Sequence, residues 1–234
     1  MKDILHTIFY WLNVLTWARL LVLLVTRREV KGRENLPRRG PVILVSNHLN
    51  LADPPVITVM TPRRIVWMAK QELFDIPFFG GWYRILGLIP VRRFEADLRA
   101  LRRAQDTLRK GLVLGMFPEG TRTGRPGLNE GEPGTALLAL RSGAPIVPVG
   151  IWGTEGIKLP ANLFKRTTVH LRYGQPYRLE KPQRITKQAV MDATDTIMRS
   201  VAELLPAEYR GRYGEPPPAQ PQPKPVSAAV EKVE

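Results

Sequence analysis

Cysteine is absent from the 234-residue sequence. A thiol nucleophile, a disulfide scaffold and a thiolate metal site are excluded with it, and a reducing compartment is compatible with the chain. No Gly-x-Ser-x-Gly segment occurs either, so the tight turn that exposes a nucleophilic serine is missing and an acyl-enzyme intermediate has no obvious nucleophile. Histidine is sparse: His6, His48 and His170 are scattered along the chain without a ligand cluster, which speaks against a metal site. No internal repeat is evident. Acidic residues number 21 against 35 lysines and arginines, a net charge of +14. That imbalance attracts polyanions, whether nucleic acid, anionic lipid or a phosphorylated substrate.

Hydrophobic residues make up 44% of the sequence, enough for a substantial core in one domain with appendages. The first long apolar run is Ile4 to Val25, interrupted by His6, Asn13 and Arg19 and carrying Phe9, Tyr10, Trp11 and Trp17. It matches the ~20 residues that a bilayer crossing needs. Arg19 inside the run, and aromatics weighted to one half, favour a helix lying in one leaflet; a span with Arg19 snorkelling and a core helix packed on the domain are the alternatives. A cleaved signal peptide fits less well, since no small-residue cleavage site follows. Arg27, Arg28, Lys31, Arg33, Arg38 and Arg39 come next, a basic cluster suited to an anionic cytoplasmic leaflet or, more blandly, to a solvated linker.

Beyond this point apolar runs alternate with helical patterns. Val42 to Val45 reads as a buried strand, followed by Ser46-Asn47-His48-Leu49-Asn50-Leu51-Ala52-Asp53-Pro54. Asp53 before Pro54 marks a helix start, with the carboxylate placed to cap free N–H groups, and the helix continues to Met60. With four residues between them, His48 and Asp53 can fold back on each other across the turn, leaving one imidazole nitrogen as a general base; the bland reading keeps Asp53 as a cap and His48 as a polar turn residue. Strands are expected at Arg64 to Met68, Gly87 to Arg93, Leu112 to Phe117, Gly143 to Ile151 and Thr168 to Tyr173, the last with His170 in its alternation. Helices are expected at Glu95 to Lys110, with Leu98, Leu101 and Leu108 on one stripe, at Thr135 to Leu140 and at Lys187 to Leu205. Phe74, Ile76, Phe78 and Phe79 lie close together and serve either as plain core or as the lining of a cleft for an acyl chain. A second polar cluster, Pro118-Glu119-Gly120-Thr121-Arg122, follows the Leu112 to Phe117 strand. Gly120 admits close backbone approach, Thr121 offers a hydroxyl and Arg122 a two-pronged grip on phosphate, although as a bare pattern it is also a turn with a surface ion pair.

In order, Asn47-His48-x4-Asp53, Gly87 to Arg93, Phe117-Pro118-Glu119-Gly120-Thr121-Arg122 and Ala144 to Val149 resemble four sequence blocks of one family. That family is the lysophosphatidate acyltransferases, or 1-acyl-sn-glycerol-3-phosphate acyltransferases, of the glycerolipid acyltransferase superfamily. The likeness spans Val42 to Ile151. It implies that His48 is the general base on the free sn-2 hydroxyl of a lysophospholipid, oriented by Asp53. By the same resemblance Arg93, Glu119, Gly120, Thr121 and Arg122 bind the acceptor's phosphate, and Pro145 with its strand shapes the floor of the cleft. Pro90 and Thr123 are mild departures from the family pattern.

The expected fold class is α/β, a mixed, mostly parallel central sheet flanked by helices, with an N-terminal membrane-associated helix. Residues 1–27 form that helix, 28–213 the acyltransferase domain and 214–234 a disordered proline-rich tail. The expected co-substrate is acyl coenzyme A or acyl carrier protein with no cofactor and no metal, the product phosphatidic acid, and the site of action the cytoplasmic face of the cell membrane. Expected partners are the lysophospholipid, the acyl thioester and an anionic membrane surface, with no nucleic acid: the arginines that matter sit beside acidic and small residues at strand ends and not in a stripe interleaved with aromatics. Acylation of glycerol 3-phosphate or another lysophospholipid, a thioesterase in which His48 activates water, and a non-catalytic basic membrane-binding protein are the competing readings.

Overall fold

The structure, a computed structural model, describes residues 2–92, 97–158 and 166–214. Seven strands form one sheet: β1 Thr26–Lys31, β2 Val42–Ser46, β3 Ile65–Lys70, β4 Ile89–Val91, β5 Val113–Met116, β6 Ile146–Trp152 and β7 Thr167–Tyr173, in the order β1-β7-β6-β2-β5-β3-β4. The five strands β2 to β6 run parallel, β7 is antiparallel to β6, and β1 is parallel to β7. The mixed, mostly parallel sheet expected from the sequence is present. Every residue of β2 is buried, as suits the middle of a sheet covered on both faces.

On one face pack α5 Leu98–Arg109, α6 Pro133–Ser142 and α7 Lys187–Ala202, through a core that includes Ile43, Val45, Leu114, Leu138, Ile197 and Met198. On the other, α3 Asp53–Met60 and the N-terminal helices cover Leu44, Ile65, Val149 and Leu171. A further helix, α4 Phe79–Leu86, precedes β4 in a stretch whose prolines and glycines hid any helical period. Two helices are capped as the chemistry of their first turns dictates. Asp97 accepts hydrogen bonds from the backbone N–H groups of Arg99 and Ala100, which hold its carboxyl below the usual range, and Thr186 accepts from Ala189 N.

The N-terminal apolar run is helical but not straight. Helix α1 Lys2–Asn13 and helix α2 Arg19–Val25 are joined by a wide π turn, Val14–Ala18, in which Thr16 leaves helical geometry at φ −98° and ψ −109°. Its polar groups bond back to the helix itself: Asn13 Nδ2 donates to Phe9 O, Thr16 Oγ1 to Leu12 O and Trp17 Nε1 to Asn13 Oδ1. Tyr10, Val14, Val22 and Val25 are buried against the domain, and the Tyr10 hydroxyl accepts a hydrogen bond from Ile65 N at the start of β3. Ile8, Leu12, Leu15, Trp17, Leu20 and Leu24 face outward, each more than two-fifths exposed. Thr7–Val25 is, by length and apolarity, able to cross a membrane.

Several expectations need correcting. The basic stretch from Arg27 to Lys31 is neither linker nor loop but most of edge strand β1, paired with β7 from Thr26↔Thr167 to Lys31↔Arg172, so the boundary expected after residue 27 falls within a strand. Asp53 does not cap α3; Ala52 holds that position, and the Asp53 carboxylate turns back to the preceding loop. In α5 the inward stripe is Ala100, Ala104 and Leu108, while Leu98 is largely exposed. Phe74 is buried but Phe78 is almost fully exposed, at a positive φ of 64° that a bulky residue rarely adopts. Of the expected proline-rich tail, 214–234, all but Gly214 lies outside the described residues.

Candidate active site

The carboxyl ends of β2 and β5 are neighbours in the sheet, and the two polar clusters of the sequence follow them. In open parallel sheets this edge is where ligands bind. His48 Nδ1 lies 2.8 Å from Asp53 Oδ2, and both side chains are buried. The same oxygen accepts hydrogen bonds from Leu49 N and Asn50 N, each at 2.7 Å, while Oδ1 accepts from the Thr154 hydroxyl. A carboxylate is an acceptor only, so Nδ1 carries the proton, and in the neutral imidazole Nε2 presents a lone pair. Among the described residues no hydrogen bond is made to Nε2.

The imidazole is also held by its faces. Phe117 stacks on it at 4.0 Å between centroids, and Trp67 stacks on the other side of Phe117 at 4.8 Å. Gly115 makes this stack possible, since a Cβ there would come within 2.5 Å of the Trp67 ring. Asn47 ties the loop to β6 with two bonds, donating to Ile151 O at 2.7 Å and accepting from Ile151 N at 2.9 Å. Sequence reasoning quoted Asn47 in its motif without giving it a role, and did not single out Trp67 or Thr154. Of the three, Asn47 had a visible signal, a polar residue between a buried strand and His48; the other two reach the site only through the sheet order.

Glu119 is placed differently from the expectation that it grips phosphate. It is 3% exposed, and its Oε1 and Oε2 accept from His48 N and Asn129 N, both at 2.9 Å. Burial pushes its carboxyl up to about 7 against the pull of those two N–H groups, with the Asp53 charge adding to the rise. Its carboxyl therefore links two loops. Further bonds from Thr123 N to His48 O and from Gly124 N to Leu49 O complete that seam. Gly120 turns the chain at φ +66°, and Thr121 and Arg122 beyond it are exposed. Among the described residues neither the Arg122 guanidinium nor the backbone N–H groups of Thr121 and Arg122 have a hydrogen-bond partner. Arg93 lies outside the described residues.

Phe117 and Gly120 also border a cavity of about 500 Å³ that runs between α5, α6 and the ends of β3, β4 and β5, walled by Met68, Ala100, Leu101 and Leu138. None of Phe74, Ile76, Phe78 or Phe79 lines it. Small side chains at Ala100 and Ala104 leave the space open. Pro145 precedes β6 at the end opposite His48, where its carbonyl accepts from Ile43 N; the parts of that strand region that reach the site are Ile151 and Thr154.

Residues 27–152, which contain all of these side chains but Thr154, match the family model described as Acyltransferase. The chain belongs to the acyltransferase family. This acyltransferase is 29% identical to the chloroplastic 1-acyl-sn-glycerol-3-phosphate acyltransferase BAT2 of Brassica napus over 60% of its own length and 42% of that protein's. It is 28% identical to the 1-acyl-sn-glycerol-3-phosphate acyltransferase of Bacillus subtilis over 79% of its own length and 92% of that one's. Several curated relatives are longer, so that the chain spans about half their length, 55% in the Borreliella burgdorferi enzyme. Among solved structures, the 1-acyl-sn-glycerophosphate acyltransferase PlsC of Thermotoga maritima superposes with a TM-score of 0.62 at 25% identity, over 84% of this acyltransferase and 87% of that chain.

Proposed function

We propose that this acyltransferase moves a fatty acyl chain from an acyl thioester to the sn-2 hydroxyl of 1-acylglycerol 3-phosphate, giving phosphatidic acid. The observation that carries the reading is the buried His48–Asp53 pair, whose geometry leaves Nε2 as the base. The names of the relatives supply the acceptor. His48 Nε2 takes the proton from the hydroxyl as its oxygen attacks the thioester carbonyl; the tetrahedral intermediate collapses with loss of the thiolate, which recovers the proton from His48. Because a thiolate leaves readily, one base and good positioning suffice, and general base catalysis is worth ~100 to 10,000-fold. Arg122 and the N–H groups of Thr121 and Arg122 form the phosphate cradle, and Arg93 joins them by the family pattern. Glu119 positions His48 by holding its backbone. The apolar cavity behind Phe117 takes an acyl chain.

The outward leucines of the N-terminal helices seat the enzyme in one leaflet, on the cytoplasmic face, with the basic surface turned to anionic headgroups. Packing of Tyr10, Val14 and Val22 on the domain supports a helix that lies along the membrane rather than one that spans it. The donor is acyl coenzyme A or acyl carrier protein, and the chemistry needs no cofactor. The test is transfer of labelled acyl from acyl coenzyme A to 1-acylglycerol 3-phosphate, with glycerol 3-phosphate as competing acceptor. Labelled phosphatidic acid made by the wild type and not by His48→Ala supports the reading. Labelled free fatty acid alone, or acylated glycerol 3-phosphate alone, overturns it.

A further inference from the structure

Between β3 and α4 the chain makes a turn that water does not favour. Phe78 is 96% exposed, and its φ of 64° and ψ of −50° make it the centre of a γ-turn of the rare, strained hand, closed by a hydrogen bond from Phe79 N to Pro77 O at 2.8 Å. Neither a bare phenylalanine ring nor that backbone is stable for its own sake. The surroundings hold both in place. Pro77 fixes the entry to the turn, Gly80 N donates to Ile76 O at 2.8 Å, and Gly80 lies so close to Phe74 that a Cβ there would collide with the Phe74 carbonyl. Buried Phe74 thus anchors a turn whose tip is an aromatic side chain.

Phe78 does not stand alone. Ile76 and Phe79 beside it are 42% and 51% exposed. Trp82 lies one helical turn further on, where its N–H bonds Phe78 O, and its ring packs on Trp17 at 4.6 Å between centroids. Trp17 belongs, with Leu20 and Leu24, to the outward apolar face of the N-terminal helices, so the two apolar surfaces are continuous. From Ile76 to Arg84 the only charge is that of Arg84, and a single cation among aromatics is the pattern of a membrane interface. Because β3 runs parallel to β5, as β2 does, the turn follows the carboxyl end of β3, at the edge of the sheet that carries His48 and Glu119.

Building on the one-leaflet seating of the N-terminal helices, we propose that Phe78 is a second point of membrane insertion, a wedge that enters the leaflet and holds the catalytic edge against it. The leaflet returns the ring to apolar surroundings. The fixed turn presents that ring in advance, which leaves little to be ordered on binding. With Phe78 in the leaflet, the catalytic edge sits at the level where a lipid acceptor presents its headgroup.

The test uses the full chain with phosphatidylcholine vesicles. The sequence has no cysteine, so a nitrobenzoxadiazole label attached through Phe78→Cys reports on that site alone, with Arg184→Cys, also exposed, as the control away from the catalytic edge. Emission from the Phe78 label should shift to the blue on vesicle binding and be quenched by lipids brominated in their acyl chains, while the control label does neither. Phe78→Gly should weaken partitioning to vesicles at least ~5-fold without lowering the melting temperature, since the ring is lost while glycine accepts the positive φ. An unshifted Phe78 label, a smaller loss of partitioning or a lowered melting temperature in Phe78→Gly overturns the proposal. In each of those cases the seating of the helices stands if Leu12→Gln with Leu20→Gln still weakens binding, and a wild type that ignores vesicles overturns both. A dimer in nonionic micelles that Phe78→Gly disperses assigns the surface to a second copy and overturns the insertion.

Discussion

His48 acquires its chemistry from what surrounds it: Asp53 fixes the proton on Nδ1, Phe117 fixes the ring plane, and Glu119 and Asn47 fix the backbone on either side. Substituting His48→Ala removes the proposed base while leaving those backbone ties in place. Turnover should fall ~100 to 10,000-fold with a melting temperature within a few degrees of wild type, as read by the acyl-transfer assay and by calorimetry. Glu119 carries a pH signature. Burial lifts its carboxyl from the ordinary glutamate range to about 7 in the folded chain, so ionising it costs more folded than unfolded. The stability it contributes is complete below pH ~4.5, declines as pH rises, and is lost above ~7, a change on the order of 3 kcal/mol for a group this buried. Urea midpoints compared at pH 5 and 8 should therefore fall further in the wild type than in Glu119→Gln, whose amide does not titrate; equal falls would show that another group carries the dependence. At this scale spacing allowed a His48–Asp53 pair beside a bland cap-and-turn reading, and the family resemblance chose between them, whereas the placement of Glu119 was not legible. Nothing in Glu-Gly-Thr-Arg says that a charged side chain faces inward to two N–H groups 71 and 10 residues away.

Among the elements, α5 and the N-terminal helices divide their faces in ways that set function. Ala100 and Ala104 are the small residues of the α5 inner stripe, and the cavity beside them exists because nothing larger fills it. Ala100→Leu should shorten the preferred acyl chain, measured by competition between short and long acyl coenzyme A donors, with little change in turnover for the short one. In the N-terminal helices the inner face is anchored by Tyr10 and Val22 and the outer face is unpartnered leucine. Leu12→Gln with Leu20→Gln should leave thermal stability unchanged and weaken partitioning to neutral vesicles at least ~10-fold, since each buried leucine is worth ~1.5–3 kcal/mol. Continued tight binding in flotation assays would place the membrane contact elsewhere. Helix existence here was plain from apolar length, and so was the strand at Val42 to Val45. Strand β1 was hidden because arginines and lysines on an edge strand look like a basic linker until β7 is seen beside them.

Over the whole molecule, the proposed membrane seating draws on a charge of +14 as well as on the apolar helix face. Each basic residue near an anionic leaflet adds about 1 kcal/mol, and screening shrinks from ~10 Å at 0.1 M salt to ~3 Å at 1 M. Binding to vesicles containing phosphatidylglycerol should therefore drop at least ~10-fold across that range, while binding to phosphatidylcholine vesicles should hold nearly constant. A salt-independent result with both would mean that the basic surface faces away from the bilayer. The N-terminal helices run the height of the sheet, from Ile65 at the start of β3 to Thr26 at the start of β1 beside the His48 edge.

What the sequence determined by itself is the set of local decisions: apolar runs that must be buried as strands, a histidine and an aspartate close enough to meet across a turn, a basic excess and an apolar lead-in. These follow from periodicity and short-range spacing, which chain connectivity fixes before any folding. Only the tertiary structure decided the meetings between distant segments. Phe117 reaches His48, Thr154 reaches Asp53 and Asn129 reaches Glu119 because β2 lies between β5 and β6 in the sheet, and strand order depends on the balance of all the packing contacts at once. The same balance left space beside Ala100 and between Arg64 and Arg103, and an open space is a property of the assembled walls that no single segment carries.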